Sequence, residues 1–128
     1  MDPAENAERP LVLIIDDDEQ ARDLYGHWFA AHGVQVACAV GTFGLSWAMK
    51  RLRPELIVSE VRARDLTVTD LLAALRSLER TCSIPVLVLT TCTDARTLNS
   101  AVDAGAAAVL PKWVDFGVLA SWVDALCR

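Results

Sequence analysis

Short apolar runs alternate along this chain with stretches in which apolar residues recur every three or four positions. The runs cover residues 11–15, 34–39, 56–59, 85–89 and 107–110. Four of them are almost continuously apolar, the pattern of strands buried on both faces of a parallel sheet. The run at 34–39 is more mixed, with Gln35 inside it, which suits a strand near an edge. Between the runs the spacing predicts five helices. The first covers about 19–32, with Asp18 as N-cap, an apolar stripe of Ala21, Leu24, Tyr25, Trp28 and Phe29, and Gly33 as its stop. The second covers about 42–52 and is stopped by Pro54; the third covers about 69–80. The fourth starts after Thr93 or Asp94 and ends at Gly105. The last follows Asp115 and carries Phe116, Leu119, Val123 and Leu126 at core spacing.

Five strand–helix units in succession imply one α/β domain with right-handed crossovers and helices on both faces of the sheet. In such sheets the site lies outside the carboxyl ends of the strands. The chemistry-bearing residues fall there. Asp16, Asp17 and Asp18 follow the first run, Glu60 the third, Thr90 the fourth and Lys112 the fifth. Singly each is ordinary, since an Asp after a strand usually caps a helix and a Thr usually makes a turn. Together, carboxylates, a hydroxyl and an ammonium at strand ends are the groups that phosphoryl chemistry on a carboxylate requires.

Composition narrows the picture. A length of 128 residues is one domain, read as a disordered segment over 1–10 and a folded unit over 11–128. The net charge of −5 argues against a nucleic-acid footprint. A hydrophobic fraction of 53% is high for a small domain, and fits either a large core or an added apolar partner surface. Cys38, Cys82, Cys92 and Cys127 show no metal or disulfide spacing and read as small buried hydrophobes in a reducing compartment. The start of the chain is polar, and no run approaches the ~18 apolar residues of a membrane span. A cytoplasmic protein without membrane contact is expected.

The segments Val12-Leu13-Ile14-Ile15-Asp16-Asp17-Asp18-Glu19, Pro54-Glu55-Leu56-Ile57-Val58-Ser59-Glu60, Ile84-Pro85-Val86-Leu87-Val88-Leu89-Thr90 and Gly105-Ala106-Ala107-Ala108-Val109-Leu110-Pro111-Lys112 resemble the receiver domain of two-component response regulators. The resemblance runs over about residues 11–126. It implies a flavodoxin-like (βα)5 doubly wound fold, with a five-stranded parallel sheet of order 2-1-3-4-5. It implies a signalling module, not an enzyme. By resemblance, Asp16 and Asp17 match the Mg²⁺-binding acidic pair, and Thr90 and Lys112 match the groups that hold phosphoryl oxygens. Glu60 falls on the phosphoacceptor, where the family carries Asp. Other departures are Arg64 and Val68 in place of a usual Pro and Gly, and Val109 in place of an aromatic switch residue. Trp113 replaces a Pro that often follows a cis bond, and Thr91 replaces a small Ala. Without Pro a cis bond costs about 2.5–4 kcal/mol, so Lys112–Trp113 is expected trans.

Glu60 reaches one methylene further than Asp. A displacement of ~1 Å in a reacting group costs ~10²-fold in rate. The longer side chain can instead meet Lys112 directly, as a partial phosphate mimic. Asp16, Asp17 and Glu60 remain candidate ligands for weakly held Mg²⁺, with Arg62 or Arg64 as an internal substitute for the ion. The expectation is therefore a degenerate, phosphorylation-independent receiver acting through protein contacts, with a histidine kinase or a downstream signalling protein as partner. The alternative is a Mg²⁺-dependent phosphoacceptor using Glu60 or a neighbouring carboxylate. A third class, an unrelated flavodoxin-like binder of an anion or nucleotide, lacks a Gly-rich phosphate loop after any strand. On the last helix Val118, Trp122 and Ala125 form a second apolar line beside Trp113. They mark either a homodimer or partner face or, for Trp122, a fold back onto the core.

Overall fold

The computed structural model describes residues 9–127. Strands β1 (Leu11–Ile15), β2 (Gln35–Ala39), β3 (Leu56–Ser59), β4 (Val86–Thr90) and β5 (Ala108–Pro111) form one parallel sheet. Its order is β2-β1-β3-β4-β5, the doubly wound arrangement that the resemblance implied. Helices α1 (Glu19–Ala31), α2 (Gly41–Arg51), α3 (Val68–Arg76), α4 (Ala95–Asp103) and α5 (Phe116–Leu126) follow the strands in turn. The mixed strand β2 is at an edge, as its polar content suggested. Helix α3 stops four residues earlier than its pattern, at Arg76, where Ser77 forms the C-cap and turns continue the chain. The expectation for residues 1–10 falls mainly on residues outside those described. Pro10 and Arg9 are described, and their carbonyls accept hydrogen bonds from Gln35.

Alternate residues of the three central strands feed two separate cores. Leu13, Ile15, Ile57, Val86 and Val88 pack with Leu45, Leu71, Leu72 and Leu75 under α2, α3 and α4. Val12, Ile14, Leu56, Val58, Leu87 and Leu89 pack with Tyr25, Phe29, Leu119 and Val123 under α1 and α5. This is why both faces of the strands had to be apolar.

Some stripe positions differ from expectation. Leu24 and Phe116 lie at core spacing yet are exposed. Phe116 instead joins an aromatic row with Trp28, stacked at 5.3 Å, and Tyr25, edge-on at 6.4 Å. Trp122 is half-buried against the core beneath α1 and α5, whereas Val118 is exposed. The four cysteines are unpaired, and Cys38 and Cys82 are exposed, so the burial expected for them does not hold.

A short antiparallel ribbon, Arg62–Ala63 with Leu66–Thr67, carries the chain from β3 into α3. Its turn residue Arg64 has φ 58, a conformation that needs outside support in a residue with a Cβ. Asp65 supplies some of it. Its carboxylate accepts the Thr42 N–H at 2.8 Å and so caps α2, whose own N-cap, Val40, has no side chain to offer. That hydrogen bond, before all else, holds the Asp65 carboxyl below its ordinary pKa. The fit requires Gly41, which has φ 74 and whose Cβ would stand 2.7 Å from Asp65 Oδ1. Gly41→Ala is expected to destabilise the domain by about 1–2 kcal/mol, the cost of a left-handed residue with a Cβ. Urea denaturation measures it; an unchanged midpoint would show that the ribbon does not bear on α2.

Candidate functional site

The residues that follow β1 and β3 meet the ammonium of the lysine that follows β5. Lys112 follows β5 directly, and its backbone N–H is held by the Thr90 carbonyl at 2.8 Å. Its side chain is almost fully buried. Nζ contacts Asp16 Oδ2 at 2.9 Å and Glu60 Oε2 at 3.1 Å, and both carboxylates are themselves close to buried. Burial alone would lower the pKa of Lys112. The hydrogen bonds and charges of Asp16 and Glu60 outweigh it, and the lysine titrates above its ordinary value.

Each carboxylate is placed by its own strand end. Asp16 Oδ1 accepts the Asp18 N–H at 2.9 Å, and the Asp16 carbonyl accepts Arg22 Nη1 at 2.8 Å. Arg22 lies in the first turns of α1 and was not legible as a site residue; its spacing of six from Asp16 is the only sequence signal. Asp18 caps α1 through the Gln20 N–H, as expected. Glu60 Oε1 accepts the Val61 N–H at 2.8 Å, and Oε2 also receives the Thr91 N–H at 3.4 Å. The carboxylate thus bridges its own loop, the turn after β4 and the lysine after β5.

Thr90 is buried at the end of β4, and its hydroxyl accepts the Cys92 N–H at 2.9 Å. Asp17 points its Oδ2 at the Arg64 N–H, 3.3 Å away. Thus the backbone of Arg64, not its guanidinium, approaches the acidic pair. Among the described residues, neither Arg62 nor Arg64 forms an ion pair with Asp17 or Glu60. Above these groups lies an open cleft of about 360 Å³, lined by Asp17, Glu60, Thr90, Thr91 and Lys112 among others.

The residue after the lysine is tied to α1. Trp113 is in a trans bond, has φ 67, and donates its N–H to Tyr25 Oη at 2.9 Å. Its ring stacks on Tyr25 with centroids 6.2 Å apart. Tyr25 was legible only as a core residue. Its hydroxyl gives the site a second attachment to α1.

The resemblance implies Mg²⁺ at Asp16, Asp17 and Glu60. Mg²⁺ demands near-octahedral oxygen ligands. Here the Asp16 and Glu60 oxygens are turned to N–H groups and to Lys112. Among the described residues, no three His, Cys, Asp or Glu side chains are grouped to hold a metal ion. In this arrangement Asp16 and Glu60 would first have to leave those donors to serve the ion.

The fold and the convergent acidic, hydroxyl and lysine positions define a receiver. A family model for the response regulator receiver domain matches residues 12–124. The chain belongs to that family and is a receiver domain of two-component signalling. It is 34% identical over 120 residues to the DNA-binding dual master transcriptional regulator RpaA of Synechocystis sp., covering 93% of this chain and 49% of that protein. The chain therefore spans about half the length of that relative. A response regulator receiver protein from Pseudomonas putida superposes with a TM-score of 0.82 at 25% identity, over 91% of this chain and 97% of that one. The signal receiver domain of a signal transduction histidine kinase from Syntrophus aciditrophicus gives 0.83 at 25% identity, over 92% and 89%. Receivers are signalling modules that interact with histidine kinases or other signalling proteins.

Lys112→Met leaves two neighbouring buried carboxylates without their cation. The expected loss is about 3–5 kcal/mol at neutral pH. Because the folded pKa of Lys112 is raised, its contribution is present in full below the ordinary lysine value of about 10.4 and is lost as pH rises through the folded value. The stability gap between wild type and Lys112→Met should stay flat from pH 7 to about 10 and narrow above. A gap that closes below pH 9 would contradict the assignment of the shift to Lys112.

Proposed function

We propose that this domain is a pseudo-receiver, which signals through protein contacts without being phosphorylated. The observation that carries this reading is the Glu60 carboxylate on Lys112, 3.1 Å from Nζ. Glu60 Oε2 occupies donors that would otherwise serve a phosphoryl oxygen, namely the lysine and the Thr91 N–H. The same contact withdraws the carboxylate from the attitude needed for in-line attack, a geometry that tolerates little displacement. With one negative charge, Glu60 imitates part of the charge of a phosphorylated site and favours one conformation. Val109, in β5, supplies no aromatic ring to follow a moving Thr90 hydroxyl. The domain acts as a module, not an enzyme, in the cytoplasm, with a histidine kinase or a downstream protein as partner. No helix among the described residues is long and apolar enough to cross a membrane.

The alternative is a Mg²⁺-dependent acceptor at Glu60 or a neighbouring carboxylate. The open cleft above Glu60 is the feature that favours it. The two readings part on chemistry. Incubated with acetyl phosphate and Mg²⁺, the chain is expected to gain no stoichiometric phosphate by intact mass. Mg²⁺ should bind only weakly by calorimetry, because Asp16 and Glu60 must first leave their present donors. Rapid addition of one phosphate mapped to Glu60 would sink the pseudo-receiver in favour of the acceptor.

The proposed partner face lies on α5 and the loop before it. Trp113, Phe116 and Val118 are all exposed there, beside half-buried Trp122. Burial of such surface is favourable at about 25 cal/mol per Å², before the costs of association. This face would carry a homodimer or a partner contact. Val118→Glu should weaken association in light scattering while circular dichroism stays unchanged; association unaltered by the new charge would place the contact elsewhere.

A further inference from the structure

A second cleft, of about 350 Å³, opens between the first turns of α3 and α4. It meets the acidic cleft at Val61 and Arg62, which line both. Its own character is basic. Arg62 and Arg96 line it, together with the hydroxyl-bearing residues Thr67, Thr69, Thr97 and Ser100, and no carboxylate does. That is a local excess of two positive charges on a chain of net charge −5.

The two arginines also differ from others in the domain. Arg22, Arg53, Arg76 and Arg80 each donate to a carbonyl of the fold, and Arg51 lies over the Trp47 ring. Among the described residues, the guanidiniums of Arg62 and Arg96 make no hydrogen bond or ion pair. Both are exposed at the cleft, so their donors are open to a ligand. The nearby Asp94 carboxylate is already engaged by the Thr97 N–H at 3.1 Å and its hydroxyl at 2.6 Å. Thr67 and Thr69 share a hydroxyl–hydroxyl bond at 3.1 Å, in which one proton is used and one stays available.

A guanidinium fork matches the paired oxygens of a carboxylate or a phosphate, and two such forks suit the nearly double charge of a phosphate. We infer that the α3–α4 cleft is a non-covalent binding site for a small phosphate-bearing ligand, gripped by Arg62 and Arg96. The volume suits a phosphate with a small organic body. Binding there requires no phosphoryl transfer and is independent of whether Glu60 can be modified. Inorganic phosphate and a phosphate monoester share the recognised chemistry, and affinity separates them.

The test is an NMR amide titration of the whole chain with inorganic phosphate and, separately, with adenosine monophosphate, at ionic strength held constant with chloride. Saturable shifts are expected around residues 67–70 and 95–98. Arg96→Ala, an exposed change in a helix, should weaken binding about tenfold, the share of one charge-assisted contact. Arg53→Ala, a remote cation, should leave it unaltered. Tighter binding of the nucleotide identifies an ester as ligand; equal binding identifies free phosphate. The inference is overturned if neither probe saturates, if the shifts centre on residues 16–18, 60 and 112, or if Arg96→Ala binds as well as wild type.

Discussion

One buried ammonium organises the carboxyl end of the sheet. Lys112 lies between Asp16 and Glu60 with almost no contact with water, so the ends of β1, β3 and β5 are joined through one charge. A buried charge of this kind is tolerated only when paired and hydrogen-bonded. The pairing also accounts for the path of the next residues. With the lysine drawn inward and α5 starting at Phe116, the backbone turns sharply at Trp113, which takes a left-handed conformation. The Tyr25 hydroxyl receives the Trp113 N–H, and the aromatic row along α1 and α5 grows from that contact.

Glu60 carries the same charge as an Asp would and one methylene more of reach. The added methylene lets position 60 touch Lys112, Val61 N–H and Thr91 N–H together. Arg64 turns through a left-handed conformation and offers its N–H to Asp17, while Asp65 caps α2. These contacts fasten the segment after β3 on two sides.

The surface divides by chemistry. An acidic cleft with a buried lysine crowns the sheet, an aromatic face runs along α1 and α5, and a basic cleft lies between α3 and α4. The acidic and basic clefts share Val61 and Arg62, the residues directly after Glu60. Events in either cleft therefore bear on the same short stretch of backbone.

Much of this architecture is legible in the order of the residues. Continuous apolar runs in the strands and 3.6-residue spacing in the helices are local patterns, so the (βα)5 order and the strand-end positions of Asp16, Glu60, Thr90 and Lys112 could be read directly. The end of a strand is a position along the chain, and a parallel sheet brings all such ends to one edge. Side-chain pairings between distant segments are another matter. That Tyr25 would serve Trp113, that Asp65 would cap α2, that Phe116 would be exposed and Trp122 half-buried, and that Arg62 and Arg96 would line one cleft depend on rotamers and on how the helices settle on the sheet. Those are set by packing among residues far apart in sequence, which no local pattern records. Local pattern sets the elements, their order and which residues reach the edge of the sheet; long-range packing sets which hydrogen-bonding partner each side chain takes.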